Sequence, residues 1–249
     1  MEPLQGKTAL VTGGRGGIGS AICRRLAGAG VKIILLDQAC CDEAAQALFE
    51  SLPGDGHWMV EVSVTDSSAL KDTAAELERR YGKLDVLVNN AGVTRGVPHA
   101  DLDGLEDDLI DLIFKVNWRG PFACVRAFRP LLEKPPGGLV VNMSSIAATT
   151  GVGSNVAYCA SKAALNTLTL SLARALAPAI RVVAIAPGWV MGDYARRMDP
   201  AMIAEQTART PLGRLATAED VAEAVYAVAA HLTFTTGAVI PVDGGRPLG

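Results

Sequence analysis

Tyr158 and Lys162 stand four residues apart in a stretch, 157–176, whose apolar spacing is helical, so their side chains share one face. A free tyrosine titrates near 10, too high for ready proton exchange at neutral pH. A neighbouring ammonium favours the phenolate and lowers that value. The pair is therefore a candidate general acid/base. A lone tyrosine is more often a core or surface residue, so the assignment needs company.

Company comes from a second constellation. Thr12-Gly13-Gly14-Arg15-Gly16-Gly17-Ile18-Gly19 follows a strand-like run (8–12) and opens a helical pattern (18–29). Glycines permit a tight turn and close backbone approach, and a helix N-terminus offers free N–H groups to an anion, which suits a pyrophosphate. A glycine turn alone is weak evidence; its place between strand and helix sharpens it. Asp37 then ends the run Ile33-Ile34-Leu35-Leu36, where a carboxylate accepts from adenosine ribose hydroxyls and repels a 2′-phosphate. Gln38 is not basic. NAD is thus the expected cofactor, with NADP left open by Arg15, whose guanidinium in the loop can reach a 2′-phosphate.

The elements that must position these residues alternate along the chain. Strand-like runs are expected at 8–12, 31–37, 58–64, 84–89, 139–144, 181–186 and 238–242. Helical patterns fall at 18–29, 42–52, 67–81, 105–132 (one helix or two), 157–176 and 217–231. The strands are continuous apolar runs, as a parallel sheet covered on both faces requires. The fold class is α/β: a doubly wound parallel sheet with helices on both faces. No linker or low-complexity segment divides the chain, so residues 1–249 are expected to form one domain, with a loop-plus-helix insertion around 188–214.

Four segments together resemble the short-chain dehydrogenase/reductase family (SDR), in its order and rough spacing: Thr12-Gly13-x-x-x-Gly17-Ile18-Gly19, Asn89-Asn90-Ala91-Gly92, Tyr158-Cys159-Ala160-Ser161-Lys162 and Pro187-Gly188. The resemblance spans nearly the whole chain and implies a Rossmann-type fold and an NAD(P)-dependent oxidoreductase. It makes Tyr158 the residue that gives or takes the proton of the substrate oxygen, and Lys162 the holder of the nicotinamide ribose. Ser145, rather than adjacent Ser144, resembles the serine that bonds the substrate carbonyl. Asn117 resembles the asparagine that kinks a helix and holds a water for a proton relay.

The same resemblance assigns the cofactor cleft to Gly13, Arg15, Gly16, Gly17, Ile18, Gly19 and Asp37, with Asn89, Ala91 and Gly92 beneath the adenosine. Pro187, Gly188 and Val190 run along the nicotinamide, and Asn90 ties neighbouring strands. There are two departures. Ser63 stands where the family often has an adenine-binding Asp, leaving Val64 to contact adenine through its backbone and Asp66 to start a helix. Gly192 stands where a Thr usually reaches the carboxamide, a role open to Asp193. The family is commonly tetrameric, so a homotetramer built on 105–132 and 157–176 is expected, with Ala163, Ala164, Leu168, Leu172 and Ala175 suited to the interface or to the core.

The substrate pocket is expected at 94–100, 147–156 and 189–202, the last carrying Trp189, Met191, Tyr194, Met198 and Met202. An acidic carrier protein would need basic residues near the entrance. The stretches 133–138 and 177–180, where such reductases carry them, are nearly free of charge. The expected reaction is interconversion of a secondary alcohol and a ketone on a small molecule. The alternative is a 3-oxoacyl-[acyl-carrier-protein] reductase using NADPH. A remote alternative, a non-catalytic dinucleotide-sensing protein, is disfavoured because Tyr158 and Lys162 are both present.

A formal charge of −3 gives no electrostatic reason to expect nucleic acid or a membrane as partner. The absence of a secretory signal or an apolar run of spanning length points to the cytoplasm. Five cysteines (Cys23, Cys40, Cys41, Cys124 and Cys159) have no disulfide or metal-ligand spacing, so no metal is expected.

Overall fold

The apolar runs all become strands of a single sheet. The computed structural model describes residues 3–40, 42–192 and 199–248. In chain order the elements are β1 (Thr8–Thr12), α1 (Gly17–Ala27), β2 (Lys32–Asp37), α2 (Glu43–Glu50), β3 (Trp58–Glu61), α3 (Ser67–Tyr81) and β4 (Val86–Asn89). Then come α4 (Asp107–Phe114), a π-helical turn (Lys115–Arg119), α5 (Gly120–Leu132), β5 (Gly138–Met143), α6 (Ala147–Thr150), α7 (Val156–Leu176) and β6 (Ile180–Pro187). The chain continues with α8 (Pro200–Ala208), α9 (Ala218–Ala230) and β7 (Val239–Val242). Cys41, Asp193, Tyr194 and Met198 lie outside the described residues.

All seven strands are parallel, in the order β3-β2-β1-β4-β5-β6-β7. Alternate residues of each strand face opposite sides, and both sides are covered. Val11, Leu35, Val88, Val141 and Ile185 pack against Ile22 and Leu26 of α1 and Val221 and Val225 of α9. On the other face Leu10, Ile34, Leu87, Val140 and Val182 meet Leu70 and Leu77 of α3 and Phe128 and Leu132 of α5. Each such side chain fully buried contributes about 1.5–3 kcal/mol. Among the cysteines, burial pushes the thiols of Cys23 and Cys124 up to about 12, so they act as apolar filler.

Helix starts follow local chemistry. Asp66, not a serine, caps α3, its Oδ1 accepting from the N–H of Ser68 and Ala69 at 3.0 Å each. Thr217 and Asp220 form a reciprocal capping box on α9. Gly82 ends α3 in the left-handed region at φ 77°.

One expectation is adjusted and two are made more definite. The third strand ends at Glu61, not 64, because pairing with β2 stops at Asp37; Val62 N donates to Asp37 O at 2.8 Å and 62–64 then leave the sheet. Stretch 105–132 is two helices, separated by the π turn that contains Asn117. The insertion at 188–214 holds α8 and also an isolated parallel bridge, Val190 to Ala216.

Candidate active site

The strand order reverses between β1 and β4, and at such a switch point two loops diverge at the carboxyl ends of the strands to leave a crevice. Here they are the glycine loop after β1 and Asn90-Ala91-Gly92 after β4. Thr12 couples them: its Oγ1 accepts from the N–H of Asn90 and of Ala91, each at 3.0 Å. Asn90 Nδ2 in turn donates to the carbonyls of Thr12 and Gly13 at 3.0 Å. The close approach demands glycine. Gly13 has φ 62°, and a Cβ on Gly19 would sit 2.1 Å from the Gly13 carbonyl oxygen. Helix α1 begins at Gly17 with no acidic residue in its first turn, so its positive end faces the cleft uncompensated. A Cβ-free, donor-rich cradle of this kind fits a pyrophosphate.

At the end of β2 the Asp37 carboxylate accepts from the backbone N–H of Arg15 at 3.2 Å and of Gln38 at 2.8 Å. The Arg15 guanidinium turns instead to Asp42, with which it forms an ion pair.

The other end of the cleft is built where β5 meets α7. Asn155 caps α7 by accepting from Tyr158 N at 2.7 Å, while its Nδ2 donates to the carbonyl of Arg95 at 2.7 Å. That sets Tyr158 in the first turn, one turn before Lys162. Tyr158 and Ser145 line the cleft together, and the Ser145 hydroxyl favours the phenolate. Lys162 is buried; its Nζ donates to the carbonyl of Met143 at 2.7 Å and lies 5.7 Å from the Tyr158 ring centroid. Burial lowers the Lys162 pKa to about 8. Tyr158 does not show the lowered value that its lysine neighbour suggested. Burial raises it, the Ser145 hydroxyl opposes that rise, and the ammonium is engaged by a carbonyl rather than by the phenol.

Asn117 is buried inside the π turn. Its Oδ1 accepts from Val93 N at 2.8 Å, and its Nδ2 donates to Val93 O at 3.0 Å and to Ser161 Oγ at 3.2 Å. It thus pins the Gly92–Val93 backbone to α7 from behind.

One cavity of about 680 Å³ joins both ends, within the range of about 300–1,000 Å³ usual for ligand sites. It is lined by Gly13, Arg15, Gly16, Gly17, Ile18, Gly19, Asp37, Ser63, Val64, Ala91, Gly92, Ser145, Tyr158, Lys162, Pro187, Gly188 and Val190. Two residues expected at the site stand behind it. Asn117 is one. Asn89 is the other: it ties β4 to β5 through Asn142 Oδ1 at 2.8 Å, while Asn90 lines the cleft. Asn90 thus ties the ends of β1 and β4, as expected, and also faces the cleft, whereas Asn89 ties strands instead of lying beneath the adenosine. Val116, Met143 and Ala218 also line the cavity. They carry no chemical signature in the sequence, since an apolar wall residue reads like any core residue. Ser144 lines it too, but its hydroxyl donates to Asn166 Oδ1 at 2.6 Å, whereas the Ser145 hydroxyl accepts from Ala147 N at 3.2 Å and keeps its own proton to give. Gly192 lies on the wall with open space where a side chain would be.

Comparison with known proteins agrees with this geometry. A family model described as enoyl-(acyl carrier protein) reductase matches residues 13–246. The chain is 40% identical over 243 residues to "Granaticin polyketide synthase putative ketoacyl reductase 2" of Streptomyces violaceoruber, covering 96% of each chain. It is 33% identical to the 3-oxoacyl-[acyl-carrier-protein] reductase FabG of Escherichia coli K12, covering 97% of this chain and 98% of that one. Among solved structures, a short-chain dehydrogenase/reductase (glucose/ribitol dehydrogenase) of Brucella melitensis superposes with a TM-score of 0.89 at 27% identity, over 98% of each chain. With its dinucleotide cradle and its Ser145–Tyr158–Lys162 cluster on one cleft, the chain belongs to the short-chain dehydrogenase/reductase family: it is an oxidoreductase acting on CH–OH groups with a nicotinamide dinucleotide.

Proposed function

We propose that the chain interconverts a secondary alcohol and a ketone on a small, free molecule, with NAD preferred to NADP. The observation that carries this reading is that Ser145, Tyr158 and Lys162 line the same cleft as Asp37 and the glycine loop. The two hydroxyls there can both bond one substrate oxygen. Ser145 orients it, and Tyr158 takes or gives its proton. A nicotinamide dinucleotide held in this cleft would supply the hydride chemistry. Lys162 has ammonium donors beyond the one engaged by Met143, and these serve a ribose hydroxyl. Asn117 holds the Gly92–Val93 backbone in place and is the proposed anchor of the relay water. Asp37 receives the adenosine ribose, Ser63 and Val64 face the adenine, and Val190 meets the carboxamide.

A second reading, reduction of a 3-oxoacyl group on a carrier protein, is favoured by the names of the two ketoacyl reductases above. The surface supports it less. Lys134, the one cation of 133–138, is occupied by Glu78 at 2.7 Å and by the Gly82 carbonyl at 2.6 Å. Arg129 pairs with Glu133 at 3.6 Å.

The test is a fluorescence titration with NADH and with NADPH, followed by turnover on secondary alcohols and on free and carrier-bound 3-oxoacyl thioesters. Tighter NADH binding with turnover of free alcohols supports the first reading. Tighter NADPH binding with a clear preference for carrier-bound thioester replaces it with the second.

The working form is proposed to be a cytoplasmic homotetramer. No helix among the described residues is long and apolar enough to cross a membrane. Leu168 is buried within the subunit and Leu172 packs against its core, so neither is free for an interface. The exposed residues of α7 are Val156, Ala160, Thr167, Leu170, Ser171, Arg174 and Ala175, mostly small or apolar; light scattering measures the assembly.

A further inference from the structure

Asp42 divides its carboxylate between two tasks. Oδ1 caps α2, accepting from Ala45 N at 2.8 Å, and Oδ2 takes the guanidinium of Arg15, which arrives from the glycine loop. Arg15 and Asp37 line the nucleotide cleft; Asp42 does not. The Arg15 backbone meanwhile donates to Asp37 at 3.2 Å. Asp37, Arg15 and Asp42 therefore form one charged rim at the adenosine end, arranged anion, cation, anion.

The pair is half exposed, with 37% of the Arg15 side chain and 51% of that of Asp42 accessible. Exposed ion pairs contribute little to stability, so its consequence lies elsewhere. A guanidinium binds phosphate bidentately and is the natural partner of a 2′-phosphate. Any such phosphate must first displace the Asp42 carboxylate and then sit between two anions.

We propose that Asp42 is a coenzyme-specificity residue that acts through Arg15: it holds and neutralises the one cation of the glycine loop, so that the loop favours an unphosphorylated ribose. This rests on the NAD reading above and adds to it, because Asp37 alone leaves Arg15 free to rescue NADP binding.

The test is a set of dissociation constants for NADH and NADPH in the wild type, Asp42→Asn, Arg15→Ala and the double variant, read by nucleotide fluorescence. Asparagine caps a helix as well as aspartate does, so Asp42→Asn removes the charge and keeps α2. Asp42→Ser, which also caps but is too short to reach the guanidinium, serves as a second variant. Asp42→Asn and Asp42→Ser are each expected to shift the preference toward NADPH by about 1.5- to fivefold, the range of a released surface ion pair. Arg15→Ala in the Asp42→Asn background is expected to cancel that shift. An unchanged ratio, or a shift that survives without Arg15, overturns the proposal. A wild type that prefers NADPH defeats the reading of Asp37 on its own, and the coupling between Asp42 and Arg15 is still decided by the variants.

Discussion

Nζ of Lys162 donates to the carbonyl of Met143 at 2.7 Å, so the ammonium is held by the last residue of β5 while lying 5.7 Å from the Tyr158 ring centroid. Its burial depresses its pKa to about 8. The unfolded chain therefore keeps this proton up to the ordinary lysine value, whereas the folded chain releases it from about 8. Between those limits the unfolded state binds more protons, and stability rises with pH.

Below that window the buried charge opposes folding by an amount on the order of 3 kcal/mol. Lys162→Met removes the charge and also one hydrogen bond worth about 1 kcal/mol. The variant is expected to be inactive yet to melt higher than the wild type at neutral pH. The difference in Tm should shrink as the pH rises from 8 toward the ordinary lysine value. A lower melting temperature at neutral pH would show that the contact with Met143 outweighs burial.

Tyr158→Phe keeps the ring and deletes the hydroxyl beside Ser145 in the cleft. Loss of a general acid/base is expected to lower kcat by about 10²- to 10⁴-fold. NADH affinity should stay within about twofold, because the ring lines the cavity but the cradle lies at the other end. Unchanged turnover would remove Tyr158 from the mechanism.

Gly19→Ala places a methyl 2.1 Å from the Gly13 carbonyl oxygen and 2.8 Å from Asn90 Nδ2, both fixed parts of the cradle. Overpacking of this kind is expected to destabilise by about 1–3 kcal/mol and to weaken dinucleotide binding by about tenfold or more. Gly28→Ala, at the far end of α1 where φ is −62° and away from the cavity, is the matched control and should bind normally. Equal affinities for the two variants would argue against the loop as the pyrophosphate site.

Asp85 is buried at the opposite end of the sheet, where it accepts from Thr8 N at 2.9 Å and meets Lys83 at 2.8 Å and Lys7 at 3.2 Å. Burial pushes its pKa up, but the bonds from Lys83, Thr8 and Lys7 outweigh this and hold it below the usual carboxylate range. Its stabilisation is thus present above the ordinary carboxylate value and is lost as the pH falls through the depressed one. Asp85→Ala is expected to cost about 2–3 kcal/mol at neutral pH by denaturant melts, with the gap to wild type closing in acid. A gap that stays constant in acid would mean packing, not charge, is what the residue supplies.

What the sequence discloses here is whatever has a local signature. β1, β2 and α3 follow from periodicity, and the glycine turn from its place between strand and helix. Tyr158 and Lys162 follow from a helical spacing. What it withholds depends on contacts between distant segments. The place of Asn89 behind the cleft turns on its facing Asn142 across the sheet. The raised value of Tyr158 comes from its burial, which packing between distant segments decides, and Lys162 finds its partner in the Met143 carbonyl, nineteen residues away. Asp42 reads as a plain helix cap until the fold brings Arg15 to it.

The π turn has a bearing on how the chain tolerates changes in length. Gly120 N bonds back to the Lys115 carbonyl, five residues away, so the segment is in effect an α-helix with one residue too many. Each residue of an α-helix advances the face by about 100°. Removal of a single residue from Lys115–Arg119 would let α4 and α5 join as one regular helix with better backbone geometry. It would also turn Ile113 on α4 away from the interior while Phe128 on α5 stayed in it. The extra residue is thus a phase correction between two faces of what would otherwise be one rod, and Asn117 sits at the seam.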